Sequence, residues 1–360
     1  TSGHREVRQG TRIGMAKPKI NTMKELSEAI GISRPTLSRY FQDPTSVRPS
    51  TSIKIKERLA DVDYVYNFLA TRQNRKSTEL IGVIIPHLQD LFFASLLEAI
   101  ERHARELGFT IITQSSDGDP QIEEHAVRKL RSMSADGAII APLGNESSAE
   151  LFQWICDDLP IVFADSHPVG DLDCADFVGT DNDQSVASWV EYLCRADEPP
   201  YFLGMPPLNT NAFERRASYA KKMRALGHEP KFIEPEHVDD SWQFEAYGHG
   251  IMSHYFSHQR YTDATILCAN DRIAIGAIRA ANKHGLFARG RESRSALRIA
   301  GHDDHPLSRY MYPSVTTVAQ DVEGIAKSAV ELLVERIRGE RTGDPVRILK
   351  PAALMLRESA

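Results

Sequence analysis

Residues 22–39 read Thr22-Met23-Lys24-Glu25-Leu26-Ser27-Glu28-Ala29-Ile30-Gly31-Ile32-Ser33-Arg34-Pro35-Thr36-Leu37-Ser38-Arg39. Thr22 with Glu25 three residues later forms a capping box, in which each side chain can satisfy a free backbone N–H at a helix start. Leu26, Ala29 and Ile30 then fall on one face at helical spacing. Gly31 stands where that helix must stop and turn. Ser33 can cap a second helix, whose first turn tolerates Pro35. Leu37 and Phe41, four apart, give it an inner face, and Asp43-Pro44 ends it. Ser50 opens a third helix with Ile53 and Leu59 facing inward. Three short helices with a tight glycine turn between the first two make a helix-turn-helix over residues 20–61.

The outward residues of the second helix are Arg34, Thr36, Ser38 and Arg39. Arginine can bond guanine O6 and N7 with two parallel donors, whereas Ser and Thr hold phosphates and fix register. A solvated polar face would show the same residue types, so charge is the discriminating observation. Residues 1–76 hold 15 Lys and Arg against 7 Asp and Glu, a net of +8. The remaining residues hold 28 against 42, a net of −14, within a total of −6. A basic head on an acidic body is the footprint of a small polyanion-binding domain carried by a separate module.

The 360 residues exceed one ordinary core, so two or more folded units are expected. No apolar run reaches the ~18–20 residues of a membrane span. Residues 1–19 are polar and basic without an apolar segment, and are expected to be a disordered leader rather than a secretory signal. Cys156, Cys174, Cys194 and Cys268 show no C-x-x-C spacing, as expected of reduced thiols in a cytoplasmic protein. No phosphate-binding, dinucleotide or nucleophile-elbow motif is present, so no enzyme chemistry and no cofactor is expected. His302-Asp303-Asp304-His305 and the i, i+4 pair His254 and His258 contain metal-ligand types, but neither has a third ligand by motif, and no metal site is expected.

From Leu80 the pattern changes to short apolar runs alternating with helical segments. The runs include Ile81–Ile85, Thr110–Thr113, Ala138–Ala141, Ile161–Ala164 and Thr265–Cys268. The segments include Phe92–Leu107, Ile122–Met133, Phe213–Leu226 and Arg272–His284. Such alternation predicts parallel sheets covered on both faces, with ligands bound outside the carboxyl ends of the strands.

The run from Thr22 to Arg39 resembles the headpiece of the lactose/galactose repressor family, whose pattern is T-x-x-D/E-(V/L)-A-x-x-A-G-V-S-x-x-T-V/L-S-R. Val47-Arg48-Pro49-Ser50 continues the match. The resemblance implies that Arg34, Pro35 and Arg39 face bases, with Thr22, Ser33, Thr36 and Ser38 on the same DNA-binding surface. Pro35 has no N–H donor and offers apolar contact alone. The family's hinge, G-Y-x-P-N-x-x-A-R-x-L, inserts its Leu in the minor groove. In residues 62–78, taken as hinge, Tyr64, Asn67 and Ala70 match, Tyr66 replaces the Pro and Gln73 replaces the Leu. Leu69 could take over as the wedge, or Gln73 could make a polar contact.

The body resembles the sugar-binding core of the same family in Ile81-Gly82-Val83-Ile84-Ile85-Pro86, Asn270-Asp271, Gly301-His302-Asp303-Asp304 and Ser314-Val315-Thr316-Thr317-Val318-Ala319-Gln320-Asp321. The implied fold is a small all-α helix-turn-helix headpiece followed by an α/β, two-lobed, periplasmic-binding-protein-like core over 79–360. Lobe 1 would comprise about 79–178 and 320–343, and lobe 2 about 179–319 and 344–360. The implied effector contacts are Asp90, Phe92, Phe93, Arg215, Trp242, Asn270, Asp271, Asp303 and Gln320. Donors and acceptors around an aromatic floor suit a polyhydroxylated ligand. Phe92 and Phe93 are also compatible with core positions, Asp271 with a helix cap, and Asp303 with an exposed loop. Asp165-Ser166 replaces a frequent Asp-Arg. The implied partners are double-stranded operator DNA, a sugar-like effector and a second copy in a homodimer, with no membrane. An enzyme or a solute-binding protein on the same core fold is the alternative.

Overall fold

The computed structural model describes residues 19–64, 77–170, 174–195, 199–235, 242–289 and 297–360. The chain divides into two compact units, residues 1–76 and 77–360. Among the described residues, no helix is long and apolar enough to cross a membrane.

In the first unit, helices α1 (Met23–Ile30), α2 (Arg34–Gln42) and α3 (Pro49–Leu59) enclose Leu26, Ile30, Leu37, Tyr40, Val47 and Ile55. Thr22 Oγ1 accepts the Glu25 N–H at 3.2 Å. The Glu25 carboxylate takes the N–H of Asn21 at 3.0 Å, one residue before the expected partner. Gly31 adopts φ 62°, a left-handed turn that favours glycine. The guanidinium of Arg58 donates to the Ile30 carbonyl, satisfying a free acceptor at the end of α1 and tying α3 to it. Two inward assignments are corrected. Ala29 is exposed, because the eight-residue helix is buried along the single i, i+4 stripe of Leu26 and Ile30. Ile53 is 58% exposed and Ile55 fully buried. Ile55 lies one turn from Leu59, whereas Ile53 is rotated roughly 200° from Ile55 around the helix. Strand β1 (Lys19–Ile20) pairs with β2 (Asp63–Tyr64) in parallel, so this unit extends beyond the expected 20–61 at both ends. Residues 1–18 and the hinge positions Leu69 and Gln73 lie outside the described residues.

In the second unit, one parallel sheet contains β3 (Leu80–Ile85), β4 (Thr110–Ser115), β5 (Gly137–Ile140), β6 (Ile161–Ala164), β7 (Asp176–Thr180) and β13 (Arg347–Lys350). Their spatial order is β13-β7-β6-β5-β3-β4. Ile81, Val83 and Ile85 pack into one apolar cluster with α4 (Leu91–Glu106) and α11 (Val322–Arg338). Ile84, Ala138 and Ile140 pack into another with α5 (Pro120–Ser132) and α6 (Ala149–Cys156). Strand side chains alternate between faces, so burial of both sets requires helices on both sides.

A second parallel sheet, in the order β11-β10-β8-β9, is built from β8 (Tyr201–Leu203), β9 (Lys231–Ile233), β10 (Thr265–Cys268) and β11 (Arg298–Ala300). Helices α7 (Asn182–Cys194), α8 (Thr210–Ala225), α9 (Phe244–Ser257) and α10 (Asp271–Lys283) share its core, with Trp189, Tyr219 and Phe256 inside. Helices α9 and α10 touch through glycine: a Cβ on Gly276 would lie 2.1 Å from the Glu245 carbonyl oxygen.

The chain crosses between lobes three times. The first crossing follows Thr180, and the second lies between β12 (Thr317–Ala319) and α11. The third was expected near 344 but falls between Lys350 and β14 (Ala353–Met355), which pairs with β12. Residues 347–350 still belong to the first sheet, paired with 177–180. Asp176 fixes that edge by accepting the Val346 N–H at 2.8 Å and the forked guanidinium of Arg336 at 2.9 Å through each nitrogen.

Candidate DNA-reading surface and effector cleft

On the first unit, Arg34, Pro35 and Arg39 are exposed on α2. Ser33 caps this helix, its Oγ accepting the Thr36 N–H at 3.4 Å and lying 2.8 Å from Thr36 Oγ1. Thr22 and Ser33 are therefore exposed but engaged as caps, and Thr36 and Ser38 are half-buried. Among the described residues no carboxylate pairs with Arg34 or Arg39. Their guanidinium donors remain available for base edges or phosphates.

In the core, a cleft lies between the lobes. Eight of the nine residues expected at the effector line it: Asp90, Phe92, Phe93, Arg215, Trp242, Asn270, Asp303 and Gln320. Asp271 does not. It is fully buried and receives Thr317 Oγ1 at 2.5 Å, Ser308 Oγ at 2.6 Å and the His305 N–H at 2.8 Å. Its role is to hold the loop after β11 against α10, and burial pushes its carboxyl up to about 8. Nor does it cap α10, since Asn270 Oδ1 accepts the Ile273 N–H at 2.8 Å.

Phe92 and Phe93 belong to the lobe core and also line the cleft. Phe93 lies 6.4 Å from Trp242, centroid to centroid, forming an aromatic wall contributed by both lobes. Seven further residues line the cleft beyond the nine expected contacts: Asp165, Met205, Asn209, Asn211, Phe244, Arg272 and His305. Asn209 and Asn211 escaped because α8 begins at Thr210, three residues before the expected Phe213. The capping side chain of Asn209, 3.2 Å from the Ala212 N–H, was the available signal.

Arg215, 3% exposed, organises the polar side. It donates to Asn182 Oδ1 at 3.1 Å and the Ala269 carbonyl at 2.8 Å, and pairs with Asp303 Oδ1 at 2.9 Å. Gln320 donates to the same Asp303 oxygen at 2.7 Å, and His302 Nδ1 lies 2.8 Å from it. An ionised carboxylate only accepts, so His302 donates from Nδ1 and its Nε2 accepts from Ser185 Oγ, 3.0 Å away. Burial and the nearby Arg215 charge push His302 down to about 4, keeping it neutral. Burial alone would raise Asp303, but Arg215 and His302 outweigh it and hold its carboxyl below the ordinary value. Asp165 is raised to about 7 by burial, with Arg215 opposing. Both acids sit at positive φ, 112° for Asp303 and 67° for Asp165, conformations whose strain is characteristic of binding loops.

Several bonds span the cleft. Asp90 Oδ1 caps α4 at 2.9 Å from the Phe92 N–H, and Oδ2 accepts Arg272 Nη1 at 2.9 Å from the other lobe. Asn211 donates to Asp165 at 3.1 Å, and His167 approaches Glu214 at 3.3 Å. A Cβ on Gly144 would lie 3.0 Å from Asn209 Cα, so glycine permits the lobes to meet there. The space left among the lining side chains is about 40 Å³, far below the roughly 300–1,000 Å³ of small-molecule pockets. A sugar-sized ligand therefore needs some of these inter-lobe bonds to release.

Among the described residues no group of three or more His, Cys, Asp or Glu is placed to hold a metal ion. His302 serves Asp303 and Ser185, and His258 Nδ1 is bonded to the His254 carbonyl at 2.9 Å.

Comparison with known proteins agrees with this architecture. Residues 78–355 match the family described as periplasmic binding proteins and sugar binding domain of LacI family, and residues 16–65 match a helix-turn-helix family. Catabolite control protein A of Priestia megaterium is 26% identical over 94% of this chain and 98% of its own length. The HTH-type transcriptional regulator PtxS of Pseudomonas aeruginosa is 25% identical over 94% and 95%. The lac repressor bound to ONPG in the repressed state superposes with a TM-score of 0.78 at 22% identity, over 94% of this chain and 99% of that one. These relatives are regulators rather than enzymes. A capped helix-turn-helix unit, a two-lobed core with a polar inter-lobe cleft and a family match across most of the length agree: the chain belongs to the LacI family of transcriptional regulators.

Proposed function

We propose that the protein is a repressor that binds a near-palindromic operator as a homodimer and is controlled by a sugar or sugar derivative in the inter-lobe cleft. The observation that carries this reading is the Arg215–Asp303–Gln320 network beside the Phe93–Trp242 wall, which offers fixed donors and acceptors next to an apolar face. Asp303 Oδ2 has no hydrogen-bond partner among the described residues, and three bonds to Oδ1 orient it. Arg34 and Arg39 supply base-edge donors, Pro35 apolar contact, and Thr22 and Ser33, which cap the helices, act with Thr36 and Ser38 to position the phosphate backbone. A dimer places two such surfaces on two half-sites. Cytoplasmic residence follows from this role.

Control works through the bonds that span the cleft. A ligand that replaces some of them changes the relative free energy of two lobe arrangements, and the operator senses the same equilibrium. The coupling is reciprocal, so operator DNA shifts effector affinity by the factor with which effector shifts operator affinity. The experiment is a thermal-shift screen of the full chain against sugars, sugar alcohols and their derivatives, followed by titration of each hit into a labelled operator complex. The expected result is a hit that changes operator affinity in the wild type and not in Asp303→Ala, with both proteins binding operator equally when no ligand is added. A hit that acts equally on Asp303→Ala would place the effector elsewhere.

A further inference from the structure

Both guanidinium groups that line the cleft already face carboxylates. Arg272 forms a fork with Glu245, Nε to Oε1 at 2.8 Å and Nη2 to Oε2 at 2.7 Å. Its third direction, through Nη1, is filled at 2.9 Å by Asp90 Oδ2 from the opposite lobe, and its flat face lies over Phe244 at 5.1 Å. Arg215 is matched by Asp303 at 2.9 Å. Asp165, buried in the same cleft, pairs with an amide and not with a cation of its own. The cleft is thus lined by Asp90, Asp165 and Asp303 together with Arg215 and Arg272, and Glu245 pairs with Arg272. A carboxylate or phosphate on a ligand would meet no unmatched cation there and would face carboxylates at short range.

We infer that Asp90 is a specificity-determining residue: its carboxylate occupies the anion position on Arg272, so the cleft accepts a polyol without an anionic group and rejects its acidic and phosphorylated counterparts. This rests on the reading of the cleft as a sugar-effector site and assigns the charge class of that effector. Asp90 suits this task because its two oxygens have separate duties. Oδ1 fixes the residue at the start of α4, and Oδ2 reaches across to the other lobe. Removal of the charge while keeping a capping side chain vacates the anion position and leaves Arg272 with Glu245 alone.

The test compares the wild type, Asp90→Asn and Asp90→Ser as full chains. Asn and Ser both cap helices, so either variant preserves the start of α4. Thermal shift is measured with matched sets of neutral hexoses, their 6-phosphates and the corresponding hexuronates. In the wild type a neutral hexose is expected to raise the melting temperature while its uronate and phosphate do not. In the variants the anionic members are expected to gain at least tenfold in apparent affinity relative to the wild type. The added substitution Arg272→Gln is expected to abolish that gain, because it removes the cation that Asp90 had covered. A wild-type protein stabilised more by a uronate or phosphate than by the parent sugar overturns the inference alone. Failure of both variants to gain anion binding overturns it as well. A wild type and variants that respond to no member of any set overturn the sugar-effector reading, and the inference falls with it.

Discussion

Arg215→Met should destabilise the core strongly, for reasons that can be counted. The guanidinium is 3% exposed and ties α8 to three other places: Asn182 at the start of α7, the carbonyl of Ala269 and the carboxylate of Asp303. Methionine fills much of the stem volume, so the loss is mainly electrostatic. Asp303 keeps Gln320 and His302 but loses the one fully charged partner it has among the described residues, and Asp165 loses the charge that opposes its burial. Removal of one member of a buried ion pair costs about 3–5 kcal/mol, because an uncompensated charge stays behind. Urea unfolding of the full chain, followed by the fluorescence of its three tryptophans, Trp154, Trp189 and Trp242, all in the core unit, reads that cost on the core transition. Asp303→Asn should recover part of it in the Arg215→Met background, since the stranded charge is then gone, giving a double-mutant coupling of about 1–3 kcal/mol. A loss below about 1 kcal/mol, or strictly additive effects, would refute the assignment of Arg215 as the organiser of the cleft.

Other consequences are equally specific. Gly276→Ala drives a methyl group into the α9 backbone, 2.1 Å from the Glu245 carbonyl oxygen, and should cost about 1–3 kcal/mol; an unchanged urea midpoint would contradict the close helix contact. Thr22→Ala removes the cap of α1 and should cost the helix-turn-helix about 1 kcal/mol, visible as a lower melting temperature of its helical circular-dichroism transition. Asp165, among Arg215, Asn211, Asp303 and Asp90, titrates near 7 when folded against about 3.9 when unfolded. The folded state therefore binds the proton more tightly, and this contribution to stability, full below pH 4, is lost as pH rises towards 7. Asp165→Asn should flatten that part of the stability-versus-pH curve between pH 5 and 7, whereas Asp271, raised to about 8, contributes the same sign in both proteins. Parallel curves for the two proteins would show that Asp165 is not protonated by burial.

Local chemistry was the legible part of the molecule. The capping box at Thr22, the stop at Gly31 and the cap at Ser33 depend on neighbours within five residues, and their bonds are present at the expected ends of α1 and α2. Short helices gave less: one or two turns do not average out a misplaced residue, so Ala29 and Ile53 were placed inward whereas Ile55 holds the core. The strand–helix alternation pointed to parallel sheets, but the edge strand 347–350 has no apolar alternation strong enough to assign it to a lobe. Its pairing with 177–180 is a contact between residues 170 apart. The cleft divided along the same line. Residues inside family motifs, such as Arg215, Asn270 and Asp303, line the inter-lobe cleft. Arg272, Asn211 and Glu245 gain their significance from partners on distant segments, which no local spacing reveals. Asp271 misled for the opposite reason: it sits inside a recognisable motif, yet its carboxylate is consumed by Thr317, Ser308 and His305.

The most direct test of the central claim is a selection of double-stranded sites from a random library by the full chain, followed by anisotropy titrations of wild type and Arg39→Ala on the enriched site and on random DNA. Enrichment of a near-palindromic sequence is expected. Arg39→Ala should lose about 1–3 kcal/mol on that sequence, with little change on random DNA. Absence of any enriched sequence, or an equal loss for Arg39→Ala on both DNAs, would contradict sequence reading by the exposed face of α2.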